Sequence, residues 1–323
     1  MSRDPTWGVV ATIKAPDTDI LNFAAWHLDQ GAQRVQIYLD EDAPKARVAL
    51  KAHPKCRVIV TDAQYWKRRR RHKGRPEKHQ TRQSLNATHC YKRNPKVDWL
   101  LHTDVDEFLW PVASLTDQLA ALPDATISAR VRPIEVMAPD PNDPLDPGVF
   151  WCKACARLPA HRRAESEAIY STYGSHLNGG FISHVAGKVF VRTGQEDVSL
   201  RIHNAFHAGE MDPEPSELSQ TRLVHMHAPD WDHWYRHYRY RLKHGSYRAD
   251  LRPAPQPDGV SLNKHALFAK LEAEGGEEAL RMLYQEVCTA TPELRERLKA
   301  HGLLHKVTLD LDACRARHFP DFG

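Results

Sequence analysis

Three acidic residues fall within four positions, Asp104, Asp106 and Glu107, inside the apolar stretch VDWLLHTDVDEFLW from Val97 to Trp110. Carboxylates gathered beside an apolar run are costly unless something positive neutralises them. A hard divalent ion does so, taking several oxygen ligands and completing its set with water and phosphate oxygens. Residues two apart on an extended chain point the same way, so the spacing predicts that Asp104 and Asp106 grip one cation while Val105 turns into the core. The competing reading is a solvated turn whose Asp residues cap a following helix.

A strand must carry these residues. The apolar run from Leu100 to Val105, flanked by Asn94-Pro95 and Pro111, predicts one that is buried. Upstream, Val9–Ile13 reads as a first strand, Val35–Leu39 as a second and Arg57–Thr61 as a third. Between them, Asp17-Thr18-Asp19 offers N-caps for a helix with Ile20, Phe23, Ala24, His27 and Leu28 on one face, closed by Gly31. Further helices are predicted over Arg47–His53 and Leu85–Tyr91. Strands alternating with helices predict an α/β fold, with a mainly parallel central sheet flanked by helices. Ligands collect at the carboxyl ends of such strands, where Asp40 and Asp104 both fall.

Composition narrows the class. With 323 residues, 41% hydrophobic and 27% charged, the chain can bury a full core. No run reaches the roughly 18–20 apolar residues of a membrane span, and the N-terminus MSRDPTWGVVATIK lacks an apolar signal core. A cytoplasmic protein without a transmembrane span is expected, with peripheral attachment left open. Six cysteines without a secretion signal predict reduced thiols, and Cys152 and Cys155 lack the second pair a zinc site needs. The charge run Trp66–Arg75, WKRRRRHKGR, is predicted as a loop. It can stay solvated, clamp a diphosphate through arginine forks, or rest on nucleic acid or an anionic membrane.

Downstream, a short helix is predicted over Ser114–Leu122, a strand over Ser128–Pro133 and a proline-rich loop over Met137–Gly148. Arg157–Glu167 reads as helical after Pro159, and Tyr173–Ser183 as a glycine-rich loop. Val185–Arg192 is a β-branched strand; His203, His207, His225 and His227 precede the aromatic segment Trp231–Tyr240. Imidazoles in such number can ligate a metal. Arg252–Gly259 predicts a linker, and apolar residues at helical spacing beyond it predict a helical extension over 251–323, after a main domain over 1–250.

The stretch W-L-L-H-T-D-V-D-E-F resembles the D-x-D strand of GT-A glycosyltransferases, in particular a bacterial family-2-like branch whose strand ends in DVDEF. The lead-in from Ala24 to Asp42 is similar to that group's helix and second strand, and the resemblance covers about the first 245 residues. It implies a GT-A fold, Rossmann-like, with a nucleotide-sugar half about 1–112 and an acceptor half about 113–250. It implies a hexosyltransferase using a nucleotide-diphosphate sugar (UDP-sugar foremost), Mn²⁺ or Mg²⁺, and a saccharide or glycan acceptor. Nucleotide-sugar contacts are implied at Lys14, Asp40, Arg82, Gln83, Asn86, Asp104 and Lys188, and metal ligands at Asp104, Asp106 and His225 or His227. Two departures stand out. The group's Lys-Asn-Glu loop is here Lys14-Ala15-Pro16-Asp17, without the Glu, and Met226 replaces a Tyr. For the general base that an inverting enzyme needs, Glu107, Glu135, Glu196, Asp197 and Asp230 are candidates. Two other classes stay open: a metal-dependent phosphoester hydrolase, and a noncatalytic polyanion-binding protein using Lys67–Arg75.

Overall fold

The computed structural model describes residues 3–70, 73–212, 215–251 and 262–322. The expected linker Arg252–Gly259 and two residues of the basic run, Arg71 and His72, lie outside the described residues. Contacts divide the chain into two units. The first is formed by Met1–Arg132, Ala186–Leu223 and Asp310–Gly323, the second by Pro133–Val185 and Val224–Leu309.

The first unit opens with β1 (Trp7–Ile13), α1 (Asp17–Asp29), β2 (Arg34–Leu39), α2 (Pro44–Ala52) and β3 (Cys56–Val60). It continues through α3 (Ala63–Arg70), α4 (His79–Lys92), β4 (Trp99–His102), β5 (Glu107–Pro111), α5 (Leu115–Ala120) and β6 (Ser128–Val136), whose last four residues belong to the second unit. The second unit adds β7 (Val149–Lys153) and α6 (Pro159–Ile169). The chain then returns to the first with β8 (Lys188–Arg192), β9 (Val198–Leu200), β10 (Ala205–His207), β11 (Glu210–Met211) and most of β12 (Ser216–His225). The second unit resumes with α7 (Trp231–His244), α8 (Lys264–Cys288), α9 (Pro292–Ala300) and β13 (Leu304–Thr308); α10 (Leu311–His318) belongs to the first.

The expected α/β class is the one observed. In the first unit β3, β2, β1 and β4 are parallel neighbours in that order, and β8 and the start of β6 extend them antiparallel. Strand β1 is buried on both faces, which is why WGVVATI reads as a continuous apolar run and not an alternating one. Helix α1 is buried nearly all round, from Ile20 and Leu21 to Trp26, His27 and Leu28. A helix apolar on every side must be covered on every side. Part of the cover is α10, where Arg315 bonds the Asn22 amide and Arg317 bonds Asp29 at 2.9 and 3.1 Å. The expected Asp17–Asp19 cap is replaced: Pro16 holds the N-cap position, and Asp17 instead accepts the Ala46 N–H of α2 at 2.7 Å.

The second unit has its own core, in which Trp234, Tyr238, Tyr247, Phe268, Leu283 and Val287 are enclosed. Within it the end of β6 pairs with β7, and β7 with β13, all antiparallel. The contact division thus falls away from the expected boundary near residue 250, and the expected helical extension contains the strand β13. Its apolar residues at helical spacing pack into the second unit's core, so they do not form a separate body. The structure joins none of the six cysteines in a disulfide, and among the described residues no helix is long and apolar enough to cross a membrane.

Candidate active site

In the first unit β4 stops at His102, three residues before the expected end. The last ladder bond runs from the Thr103 N–H to the Val10 carbonyl, 3.1 Å. The buried Glu107 carboxylate then accepts from the Thr103 hydroxyl and the Asp104 N–H, both at 2.9 Å, while the Glu107 N–H donates to the Asp104 carbonyl at 3.2 Å. A side chain that captures backbone groups locally competes with the ladder, and here it bends Asp104–Asp106 into a turn. Val105 is therefore half-buried and does not enter the core as the two-residue period predicted.

Lys188, the first residue of β8, is fully buried against this turn. Its ammonium lies 2.5 Å from Asp104 Oδ2 and 3.3 Å from Glu107 Oε2, and the Gln83 amide donates to Asp104 Oδ1. Burial alone would lower the lysine pKa, but Asp104 and Glu107 outweigh it and hold the pKa above the ordinary value. Lys188 thus neutralises carboxylates from inside, where the resemblance implied a nucleotide contact. Glu107, one of the candidate general bases, has its Oε2 engaged by Thr103, the Asp104 amide and Lys188.

A second constellation follows β2. The Asp40 side chain, 6% exposed, accepts from Arg82 Nε and Nη2 at 2.9 and 2.7 Å and from Arg75 at 3.0 Å. Arg82 Nη1 donates to the Pro76 and Glu77 carbonyls at 2.8 and 2.6 Å. Both groups are spent on ordering the chain after α3. Asn86 is buried, accepting from Tyr65 at 2.6 Å and donating to Thr12 at 3.1 Å, so it ties α4 to α3 and β1. Lys14 is exposed in an ion pair with Glu41, 2.6 Å.

Beside Asp40 opens a cleft of about 490 Å³, lined by Thr61, Asp62, Lys67, Gly74 and Arg75. The basic run, expected as a loop, is helical through Arg70. Asp62 accepts the Tyr65 N–H at 2.7 Å at the start of α3, and Tyr65 and Trp66 anchor the helix in the core. Charge repulsion along Lys67–Arg70 is overcome because these two large side chains are buried. Glu196 and Asp197 are exposed in the turn between β8 and β9, and His203 donates from Nδ1 to the Gly187 carbonyl at 2.9 Å.

The second unit holds a different cluster. Glu135 accepts the Ser183 N–H at 2.6 Å and the Ile182 N–H at 3.3 Å, with Lys153 at 3.4 Å. Burial would raise its pKa, but Lys153 and the Ser183 bonds hold it below the ordinary value. Lys153 donates to the Gly180 and Val287 carbonyls, and Lys264 to the Ile182 and Ser183 carbonyls. Burial pushes the Lys264 ammonium down to about 8, with Glu135 pulling the other way. These three charged groups satisfy the backbone of an irregular buried segment, as buried polar groups require. Glu135 thereby clamps residues 182 and 183.

The His184 and His225 rings lie 5.3 Å apart, and His225 and His227 5.1 Å. The Tyr247 hydroxyl, which accepts from Trp234 at 3.0 Å, donates to His227 Nε2 at 2.6 Å. Burial first, then the Arg241 charge, hold His227 well below its usual pKa and so neutral. Asp230, another candidate base, caps α7 by accepting the His233 N–H at 2.7 Å. Sequence reasoning passed over His184, Lys153 and Lys264. For Lys153 the signal was present, a single lysine within the apolar segment VFWCKA.

Residues 10–252 match the model of glycosyltransferase family 92. No curated protein matches the sequence. Among solved structures, the galactosyltransferase LgtC, in complex with donor and acceptor sugar analogues, aligns at 13% identity over 57% of each chain, with a TM-score of 0.27. The alignment thus spans less than two thirds of that protein's length. A mannose-1-phosphate geranyltransferase from Thermus thermophilus aligns at 10% identity over 93% of this chain and 68% of the other, with a TM-score of 0.26.

Proposed function

Because this chain belongs to glycosyltransferase family 92, we propose that it transfers a hexosyl group from a nucleotide-diphosphate sugar, UDP-sugar first, to a hydroxyl of a saccharide or glycan acceptor. Family membership sets glycosyl transfer ahead of the phosphoester-hydrolase and polyanion-only readings. The donor site of this proposal is the acidic turn after β4, and the observation supporting it is its placement. The turn follows a strand whose neighbour β1 runs parallel, and the carboxyl ends of parallel strands are where ligands bind.

The residues of the turn suit a hard divalent ion, Mn²⁺ or Mg²⁺, because their donors are carboxylate oxygens. When bound, the ion draws off negative charge from the departing diphosphate. In this reading Asp106 is the direct ligand. Asp104, whose oxygens are taken by Gln83 and Lys188, orients a water or a ribose hydroxyl. His225 or His227 belongs to the proposal as the histidine ligand that the resemblance supplies. The cleft beside Asp40 takes the nucleoside, with Lys67 and Arg75 set against phosphate charge.

Thermal unfolding with UDP and GDP, in Mn²⁺ and in EDTA, tests this. A nucleotide at a hundredfold excess over its Kd stabilises the folded state by about 2.7 kcal/mol. The expected result is stabilisation by UDP that EDTA largely removes. Equal stabilisation in both conditions would exclude the ion, and none from either nucleotide would exclude the donor site.

A further inference from the structure

The chain's cations are not spread evenly. Between residues 63 and 97 stand twelve Lys and Arg against a single acid, Glu77. This short stretch therefore carries +11 in a chain whose net charge is +4, and the remainder is net acidic. A surface so segregated is an electrostatic footprint and not an averaged coat of charge.

In the first unit many of these cations are borne on α3, on α4 and just beyond it, which meet through Tyr65 and His89. Burial of Tyr65 and Trp66 orients α3 so that Lys67, Arg68 and Arg69 are exposed. The Arg69 guanidinium lies 5.8 Å from the Tyr65 ring, which is 6.3 Å from the His89 ring of α4. Arg93, just past the end of α4, acts on the same His89: burial first, then Arg69 and Arg93, push its pKa down to about 4. Arg69 of α3 and Arg93 at the end of α4 thus both act on the one imidazole. Among the described residues, Arg68, Lys92, Arg93 and Lys96 have no carboxylate at ion-pair distance.

Like charges held together without counter-charges repel, and an anionic partner relieves that repulsion. The nature of the partner follows from what the face lacks. Among the described residues its Tyr and Trp side chains, Tyr65, Trp66 and Tyr91, are all buried, so none of them presents a ring on which a nucleobase can stack. What remains is a helix-borne cluster of Lys and Arg, the pattern that binds a plane of lipid phosphates. We propose that the α3–α4 face docks the protein peripherally on an anionic phospholipid surface. The inference rests on charge placement alone and is independent of the donor-site reading.

The test is sedimentation of the full chain with phosphatidylcholine vesicles, with and without phosphatidylglycerol, at low and high ionic strength. Binding is expected only with phosphatidylglycerol and is expected to fall steeply with salt. A variant carrying Arg68→Gln, Arg69→Gln, Lys92→Gln and Arg93→Gln should lose more than a hundredfold in partitioning, at about fivefold per charge. A control with Lys45→Gln, Lys51→Gln, Lys270→Gln and Lys299→Gln removes equal charge from exposed sites elsewhere and should keep most of the binding. Unchanged melting temperatures in both variants confirm folding. If the wild type ignores anionic vesicles, or both variants lose binding equally, the proposal is overturned. Tight binding to single-stranded RNA without vesicle binding would overturn it too, in favour of a soluble polyanion.

Discussion

Lys188→Met removes one charge from the centre of the first unit and keeps nearly the same length of apolar side chain. It leaves two carboxylates, Asp104 and Glu107, without the ammonium that faces them at 2.5 and 3.3 Å. Breaking a buried ion pair from one side costs about 3–5 kcal/mol. Asp104 is 26% exposed and partly screened while Glu107 is enclosed, so the expected loss is at the low end, about 3 kcal/mol. For a body of this size that corresponds to a fall of about 6–12 °C in melting temperature. The pH dependence carries a sign. The Lys188 pKa is raised in the folded state: burial lowers it, but Asp104 and Glu107 win. The stabilisation is therefore fully present below the ordinary lysine value of 10.5 and is lost only as pH climbs beyond it towards the folded value. In the variant the penalty is present at neutral pH, and it shrinks as pH falls, because a buried carboxyl without a counter-charge takes up a proton more readily. Urea or thermal unfolding followed by circular dichroism across this range, with Lys188→Arg as the charge-keeping control, reads it directly. If Lys188→Met matches the wild type within about 1 kcal/mol at every pH, Lys188 does not neutralise the acidic turn, and the reasoning fails.

Asp106→Asn should abolish Mn²⁺-dependent stabilisation by UDP and lower transfer about a hundredfold or more, while stability without ligand holds or rises. Near-normal turnover would restore the helix-cap reading, since Asn caps as well as Asp. Gly180→Ala in the second unit should cost about 3 kcal/mol or more in urea unfolding, because φ is +74° and the new Cβ would overlap the Tyr170 ring. Ending the chain before α10 removes the partners of Asn22 and Asp29 from α1. The truncated protein should melt lower and bind a hydrophobic dye, and an unchanged melt would show that α1 needs no such cover.

The sequence alone placed most of what is local. Val9–Ile13, Val35–Leu39 and Arg57–Thr61 announced strands that the structure places within about two residues at each end, because β-branched runs bounded by polar residues leave few alternatives. The helix near Arg157 and the strand after Gly187 were legible for similar reasons. The acidic turn was visible as a cluster of carboxylates that something positive had to neutralise. What neutralises it was not. Lys188 lies 84 residues from Asp104, and Arg82 42 residues from Asp40. Composition names the charges but says nothing of which ones tertiary packing brings together. Nor could the sequence show that the candidate bases Glu107 and Glu135 each accept from a backbone amide and face a lysine. Strand β4 likewise ended early because the Glu107 side chain, supported by a buried lysine from a distant strand, captured the backbone first. Periodicity and propensity act over a few residues, and the sequence carries them. Pairing of buried charges acts through space, in a low dielectric that exists only once the chain has closed around them.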